Sequence, residues 1–283
     1  MRPSAAVARG AAALGSAAES RTLLAFVLGV EPNRLVLQAP LTAADLAAFD
    51  GLVASRLAGT PIQHLTGRAH FRGVEVGVGP GVFIPRPETE LLAGWALDRL
   101  AEIERPRAES VVVELCAGSG AISKALAAEF AGPSYWAVEV SADAWPYLVR
   151  NLSGTPVRPV FGDMADALGE LDGLVDLVVV NPPYVPVSAR AELPADVLAD
   201  PGLALFSGDD GLDAIRLVAD VAARLLRPGG RVACEHDDTQ GLSAPAVFAA
   251  RGFADVIDHP DLNGRPRFVT AQSDAVRPGR MAS

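Results

Sequence analysis

The sequence predicts an α/β fold, with a mostly parallel sheet behind a small N-terminal helical domain. Three observations lead there. Two apolar runs rich in valine, Val111-Val112-Val113-Glu114-Leu115 and Leu177-Val178-Val179-Val180, have the length and composition of strands buried on both faces. The first is followed by Cys116-Ala117-Gly118-Ser119-Gly120 and then by residues of helical character over 121–130, a strand–glycine turn–helix unit. The first 75 residues, by contrast, look like a small helical domain, with apolar residues at helical spacing over 20–28.

Taken in order, residues 1–18 are alanine-rich with Arg2 and Arg9 and lack a compact apolar stretch or cleavage pattern, so a helix or frayed tail is expected and not a signal peptide. Residues 20–28 have apolar positions at helical spacing with Gly29 as a stop, and Thr42 is placed to cap a helix running through Leu57. Alternating Val and Gly over 73–82 suggests a short hairpin linker. The expected domains are therefore 1–75 (helical), 76–86 (linker) and 87–283 (α/β). Pro87 suits the first turn of a helix reaching Ile103, with Glu88 and Glu90 favourable near its N-terminus. Further strands are expected at Tyr135-Trp136-Ala137-Val138, at Pro159-Val160, at Arg231-Val232-Ala233-Cys234 after the Pro228-Gly229-Gly230 turn, at Val256-Ile257 and at Phe268-Val269-Thr270. The tail beyond Gln272 is expected to be mobile.

The candidate site lies at the carboxyl ends of these strands, where open α/β sheets place ligands. Asn181-Pro182-Pro183-Tyr184 directly follows the second valine run. The Asn181 side-chain oxygen and the Pro182 carbonyl are two acceptors suited to the two N–H bonds of a planar amino or amide group. Pro183 restricts the backbone of Pro182, and Tyr184 offers an aromatic face to the flat group. A plain proline-rich turn closing a strand would read the same way in isolation. The glycine turn, the strand-end Glu114, Glu139 about 20 residues beyond the turn, and Gly162-Asp163-Met164 after a further strand add independent support. Glu139 is placed for ribose hydroxyls, and Asp163 with Met164 for an adenine ring. Ser123 stands where a dinucleotide fingerprint would have its third glycine.

These residues resemble the class I S-adenosylmethionine-dependent methyltransferases. More closely, the chain is similar to the protein-glutamine N5 methyltransferases of peptide chain release factors. Pro61-Ile62-Gln63-His64-Leu65-Thr66-Gly67 and Phe83-Ile84-Pro85-Arg86-Pro87-Glu88-Thr89-Glu90 carry the specific part of the likeness, joined by Asp209-Asp210-Gly211-Leu212-Asp213 and Arg267-Phe268-Val269-Thr270. The resemblance implies a Rossmann-like, seven-stranded sheet and transfer of a methyl group from S-adenosylmethionine to the glutamine of a Gly-Gly-Gln loop. It implies Asn181, Pro182 and Tyr184 as catalytic residues, with Pro183 beside them at the substrate. Cofactor contacts would come from Glu114, Cys116, Ala117, Gly118, Ser119, Gly120, Glu139, Asp163, Met164 and Asn181. Family members often have Asp at the position of Glu114 and Gly at that of Cys116. The helical domain is the natural candidate for docking a protein substrate, with a structural lid as the alternative. Arg86 would contact a ligand or pair with Glu88 or Glu90. Glu235 and Gln240 would line the same strand edge or serve structure alone.

Composition narrows the classes. Lys and Arg number 24 against 34 Asp and Glu, a formal net charge of −10, and no block of arginines stands out; this disfavours nucleic acid as a partner. A DNA or RNA amino-methyltransferase (adenine N6 or guanine N2) is the alternative of a different class, and a glutamine methyltransferase of a ribosomal protein is a close variant. A cofactor-binding protein without catalysis, or a dehydrogenase, would leave the Asn181–Tyr184 motif unexplained. No run approaches the roughly 18 apolar residues of a membrane span. Two cysteines, Cys116 and Cys234, give no disulfide framework and fit a reducing, cytoplasmic setting, and the four histidines show no metal-ligand spacing.

Overall fold

The computed structural model describes residues 1–194 and 197–274, so most of the tail expected to be mobile lies outside the described residues. The chain divides into two compact units, one of Met1–Arg68 with Val78–Pro80 and Pro194–Ala199, the other of Ala69–Gly77, Gly81–Leu193 and Asp200–Ser283.

The first unit is helical: α1 (Pro3–Leu14), α2 (Ala17–Leu28), α3 (Ala43–Leu57) and the short α4 (Ile62–Thr66). Its boundaries follow local chemistry. Gly15 and Gly29 close α1 and α2 in the left-handed conformation. Thr42 and Asp45 form a reciprocal capping box at the start of α3. Leu23, Leu24, Phe49, Leu35 and Ala6 fill a separate core, and Gly10 of α1 is buried where α2 and α3 come close, leaving no room for a side chain against Ser20 and Phe49.

The second unit opens with a hairpin of β1 (Arg68–Phe71) and β2 (Val74–Gly77). This hairpin lies earlier than the 76–86 linker expected from the Val/Gly alternation. The turn residues are Arg72 and Gly73, both at positive φ (42° and 77°) as a two-residue hairpin requires, so the glycine marks the turn and not the start of a strand. Then follow α5 (Thr89–Ala101), β3 (Val111–Leu115), α6 (Ala121–Glu129), β4 (Ser134–Glu139), α7 (Trp145–Leu152), β5 (Val157–Phe161), β6 (Val175–Val180), α8 (Gly202–Leu205), α9 (Asp213–Leu225), β7 (Leu226–Glu235), α10 (Ser243–Ala250), β8 (Ala254–Pro260) and β9 (Pro266–Gln272). Helix α5 starts at Thr89, so Pro87 sits two residues ahead of it, where its carbonyl accepts from Glu90 N. The Pro228-Gly229-Gly230 segment lies inside β7, where the register against β6 shifts between Val175 and Leu177.

The seven-stranded sheet has the order β5-β4-β3-β6-β7-β9-β8, parallel through β7, with β9 antiparallel to both of its neighbours β7 and β8. Strand β6 is buried along its whole length, which explains a valine run without polar alternation. Its core joins Val113, Val178 and Val180 to Ile215, Val218, Ala222 and Leu225 of α9 and to Phe248 of α10. At the amino ends of the strands, the fully buried Asp176 accepts from Val111 N (2.8 Å) and Arg227 Nε (2.6 Å) and so locks β3, β6 and β7 together. A cleft of about 440 Å³ opens at that same end, lined by Arg99, Arg105, Asp176, Arg227 and Arg231, remote from the strand ends that bear the motifs. Among the described residues, no helix is long and apolar enough to cross a membrane.

Candidate active site

The order of strands brings the separated motifs to one edge. β3 lies between β4 and β6, so the glycine turn after β3 is flanked by Glu139 at the end of β4 and by Asn181 just after β6. The turn itself reverses through three left-handed residues, Cys116 (φ 52°), Gly118 (φ 53°) and Gly120 (φ 75°). The first of these explains why glycine suits that position: Cys116 holds a conformation that costs a residue with a Cβ about 1–2 kcal/mol. Gly120 packs so closely that an added Cβ would lie 2.7 Å from Leu148 Cδ1, whereas one at Gly118 would meet nothing within 4 Å. The backbone at Gly118 thus borders open space, as a loop that receives a ligand must.

Carboxylates fix this loop from two sides. Glu139 accepts from Gly118 N at 2.6 Å with one oxygen and from Ser141 N at 2.7 Å with the other. Each oxygen retains a lone pair for a further donor. Glu114 is buried beneath the loop and accepts from Ser123 N at 2.8 Å, satisfying a backbone donor in the first turn of α6. Burial pushes its carboxyl up to about 7, against the Ser123 hydrogen bonds and with the Glu139 charge adding to the rise. Its observed contacts are therefore to the helix. Asn151 of α7 completes the scaffold by donating to Ser119 O (2.9 Å) and exchanging hydrogen bonds with Gly77 of the hairpin. Asn151 carries no sequence signal that marks it, since its partners Ser119 and Gly77 lie in elements distant in the chain. Asp163 lies after β5 with one oxygen on Ala165 N, and Met164 Sδ lies 3.9 Å from Cys116 Sγ, placing both next to the turn. Burial raises the Cys116 thiol well above its ordinary value, so it is a neutral packing group.

On the other side of the turn, Asn181 Nδ2 donates to Thr89 Oγ1 at 3.2 Å. Among the described residues, Asn181 Oδ1 and the Pro182 carbonyl receive no hydrogen bond from the protein. Pro182 is buried, and Pro183 and Tyr184 are partly so. The Tyr184 carbonyl accepts from Gln240 Nε2 (3.1 Å), and Gly211 stands so close to that carbonyl that no side chain would fit. Tyr184 OH donates to Glu235 Oε1 at 3.3 Å, and burial together with the Glu235 charge keeps the phenol neutral. Glu235 and Gln240 thus reach the site through Tyr184. Arg86 pairs with Asp200, which also accepts from Ile84 N at 3.1 Å; neither Glu88 nor Glu90 is its partner, and Glu90 instead receives Arg72 N. Thr89 was legible only as part of the Phe83–Glu90 segment, without a role of its own.

A glycine turn bordered by open space, an acidic residue on the next strand and a strand-end pair of free acceptors fit a nucleoside-bearing methyl donor, and with this sheet order they define a class I methyltransferase. Solved structures share the fold: the hMettl16 catalytic domain bound to a MAT2A 3′UTR hairpin aligns with a TM-score of 0.57 at 14% identity over 82% of this chain and 84% of that one. A methyltransferase from Pyrococcus furiosus aligns at 0.52 and 19% over 78% and 99%. Residues 5–67 match the PrmC N-terminal domain. The release factor glutamine methyltransferase of Streptomyces coelicolor is 48% identical over 260 residues, 90% of each chain, and that of Mycolicibacterium smegmatis 46% over 89% of each. A 4-amino-L-phenylalanine/4-methylamino-L-phenylalanine methyltransferase of Streptomyces pristinaespiralis is 40% identical over 86% of this chain and 83% of that one. The chain belongs to the release factor glutamine methyltransferase family.

Proposed function

We propose that this enzyme methylates the side-chain amide nitrogen (N5) of the glutamine in the Gly-Gly-Gln motif of peptide chain release factors, with S-adenosylmethionine as donor. The observation that carries the reading is the pair of unclaimed acceptors, Asn181 Oδ1 and Pro182 O, at the end of β6. An amide –NH2 has two N–H bonds to give, and two directional acceptors hold both. A glutamate carboxylate has none, and would leave each buried acceptor unpaired at a cost of about 1–3 kcal/mol.

Glu139, the 116–120 turn, Asp163 and Met164 would hold the nucleoside end of the donor, whose sulfonium supplies an electrophilic methyl group with a neutral thioether as leaving group. The N–C bond forms as the S–CH3 bond breaks, and one of the two amide protons is released to solvent. The amide nitrogen is a weak nucleophile because its lone pair is delocalised into the carbonyl. Asn181 and Pro182 raise its competence by orientation, fixing the nitrogen against the methyl group, while Tyr184 packs on the planar amide. Catalysis in this reading is chiefly positioning and electrostatics. The 1–75 segment is the proposed docking domain for the protein substrate, supported by its match to the PrmC N-terminal domain. A free arylamine is the second reading, favoured by the 40% identical arylamine enzyme, because the same two acceptors fit an aryl –NH2.

Methyl transfer from labelled S-adenosylmethionine to purified release factor, with a Gln→Ala loop variant as control and 4-amino-L-phenylalanine as a competing acceptor, tests both. Label in the wild-type factor alone supports the first reading. Label in the free amino acid with none in the factor overturns it.

A further inference from the structure

The two prolines of the candidate site leave its backbone without donors. Their rings hold the local shape of the Pro182–Pro183 pair, but neither residue has an N–H that could tie the pair to the sheet. Where this stiff unit points is therefore set by its flanks, Asn181 and Tyr184. The chain beyond Tyr184 is held on two sides. On one, Val185 N donates to Leu205 O (2.8 Å), Ser207 N to Val185 O (2.9 Å) and Val187 N to Gly208 O (3.0 Å), a short ladder. On the other, the buried Gln240 engages its whole amide: Nε2 donates to Tyr184 O at 3.1 Å and to Asp210 O at 3.3 Å, and Oε1 accepts from Asp237 N at 3.0 Å. Glu235, five residues before it, receives Tyr184 OH on Oε1 at 3.3 Å. One segment, 235–240, thus grips Tyr184 at both its carbonyl and its hydroxyl. Gly211 makes room for the grip: at φ 75°, an added Cβ would lie 2.2 Å from Tyr184 O and 2.7 Å from Gln240 Nε2. The Asp209–Asp213 segment gains a part in the site by this contact.

We propose that Gln240 is a positioning residue for the acceptor pair: by holding the Tyr184 carbonyl it fixes the outer end of the Pro182–Pro183 unit, and with it the direction of Pro182 O and of the Tyr184 ring. The inference deepens the proposed function and rests on it for the nature of the group received. A carboxamide suits this post because Tyr184 O and Asp210 O each require a hydrogen while Asp237 N requires an acceptor, and the Gln side chain offers two donors and an oxygen. Gln240 also closes the capping box of the 237–240 turn through Asp237 N. A glutamate would serve that cap equally well, yet it sets its second oxygen against two carbonyls. A methionine fills a similar volume, loses the cap bond and leaves both carbonyls without this donor, but repels neither. The two roles of Gln240, cap of its own turn and holder of Tyr184, therefore predict opposite orders for these substitutions.

The test compares wild type with Gln240→Met, Gln240→Glu and Asp237→Ala, following methyl transfer to release factor at saturating donor, S-adenosylmethionine affinity by calorimetry, and thermal stability. Asp237→Ala removes the side-chain cap on Thr239 and leaves the Gln240 donors in place, so it should lower stability while kcat stays within about threefold of wild type. Gln240→Met should lower kcat roughly 10-fold and Gln240→Glu further, with donor Kd within about threefold for both. A Gln240→Glu enzyme faster than Gln240→Met, or an Asp237→Ala enzyme as slow as Gln240→Met, would reduce Gln240 to a cap of its turn and overturn the positioning role. A readout independent of donor and acceptor comes from the Pro182-Pro183 dipeptide, which occurs once in the chain. Proline labelled with 13C at the carbonyl and 15N therefore gives a single carbonyl–nitrogen correlation, that of Pro182 C′ with Pro183 N. It should shift or broaden in Gln240→Met and coincide with wild type in Asp237→Ala. Absence of release-factor labelling by the wild type, with this response intact, would remove the substrate reading and leave the positioning role standing. A Pro182 correlation unmoved by Gln240→Met, or a Gln240→Met enzyme as fast as wild type, would overturn it.

Discussion

Glu139→Gln isolates the contribution of one carboxylate to donor binding. Both oxygens of Glu139 are in use, on Gly118 N at 2.6 Å and Ser141 N at 2.7 Å, and the residue is largely buried. Glutamine keeps one acceptor oxygen and sets an NH2 group against the other backbone N–H. One charge-assisted hydrogen bond is lost, worth about 1.5–3 kcal/mol, and the remaining oxygen must serve both the loop and any ribose hydroxyl. At 1.4 kcal/mol per decade, the Kd for S-adenosylmethionine should rise roughly 10- to 100-fold. Glu139 and Asn181 belong to strands separated by β3, which places them roughly 10 Å apart across the sheet. Turnover at saturating donor should consequently stay within about threefold of wild type. Isothermal calorimetry gives the Kd, and saturating-donor kinetics give kcat. An unchanged Kd, or a fall in kcat as large as the rise in Kd, would refute the assignment of Glu139 to the ribose.

Three further outcomes are expected. Asn181→Ala removes one of the two acceptors and should cut kcat about 5- to 150-fold, the equivalent of 1–3 kcal/mol, while donor Kd measured by calorimetry changes less than threefold; equal losses in both would remove Asn181 from the substrate side. Gly120→Ala forces a Cβ into left-handed backbone and against the buried Leu148 and Leu152, so an unfolding free energy lower by about 2–4 kcal/mol is expected from denaturant titration, against little change for a substitution at an exposed loop position. Glu114 has its folded value near 7 against an ordinary 4.5, so the folded state binds the extra proton between those values and wild-type stability falls as pH rises through that window. Glu114→Gln abolishes this dependence, and the variant should gain on wild type by up to about 3 kcal/mol between pH 5 and pH 8; parallel stability profiles for the two proteins would show that Glu114 is not the titrating group.

Local chemistry was enough to read much of this chain. The valine runs of β3 and β6, the capping box of Thr42 and Asp45, the glycine stop at Gly29 and the two-acceptor motif after β6 depend on residues a few positions apart. Backbone sterics, helix-end hydrogen bonding and strand burial act at that range, so they are legible without a fold. The hairpin misplacement has a local cause as well: a Val/Gly alternation does not show which glycine turns, and only the positive φ of Arg72 and Gly73 decides it.

What the sequence by itself determined, then, is which segments are strands and helices and which strand ends carry the polar motifs. The tertiary structure decided which of those groups share a hydrogen. Thr89 and Glu235 lie far apart in sequence, yet the first receives the Asn181 amide and the second the Tyr184 hydroxyl, because α5 packs on both β6 and β7. Arg86 finds Asp200 and not its neighbours Glu88 and Glu90. Asn151 ties the glycine turn to a hairpin about 75 residues away in sequence, at Gly77. A carboxylate in a sequence is only a charge; burial and the count of donors around it, which depend on packing across the whole sheet, turn it into a helix cap, a brace for a loop or the partner of a buried phenol.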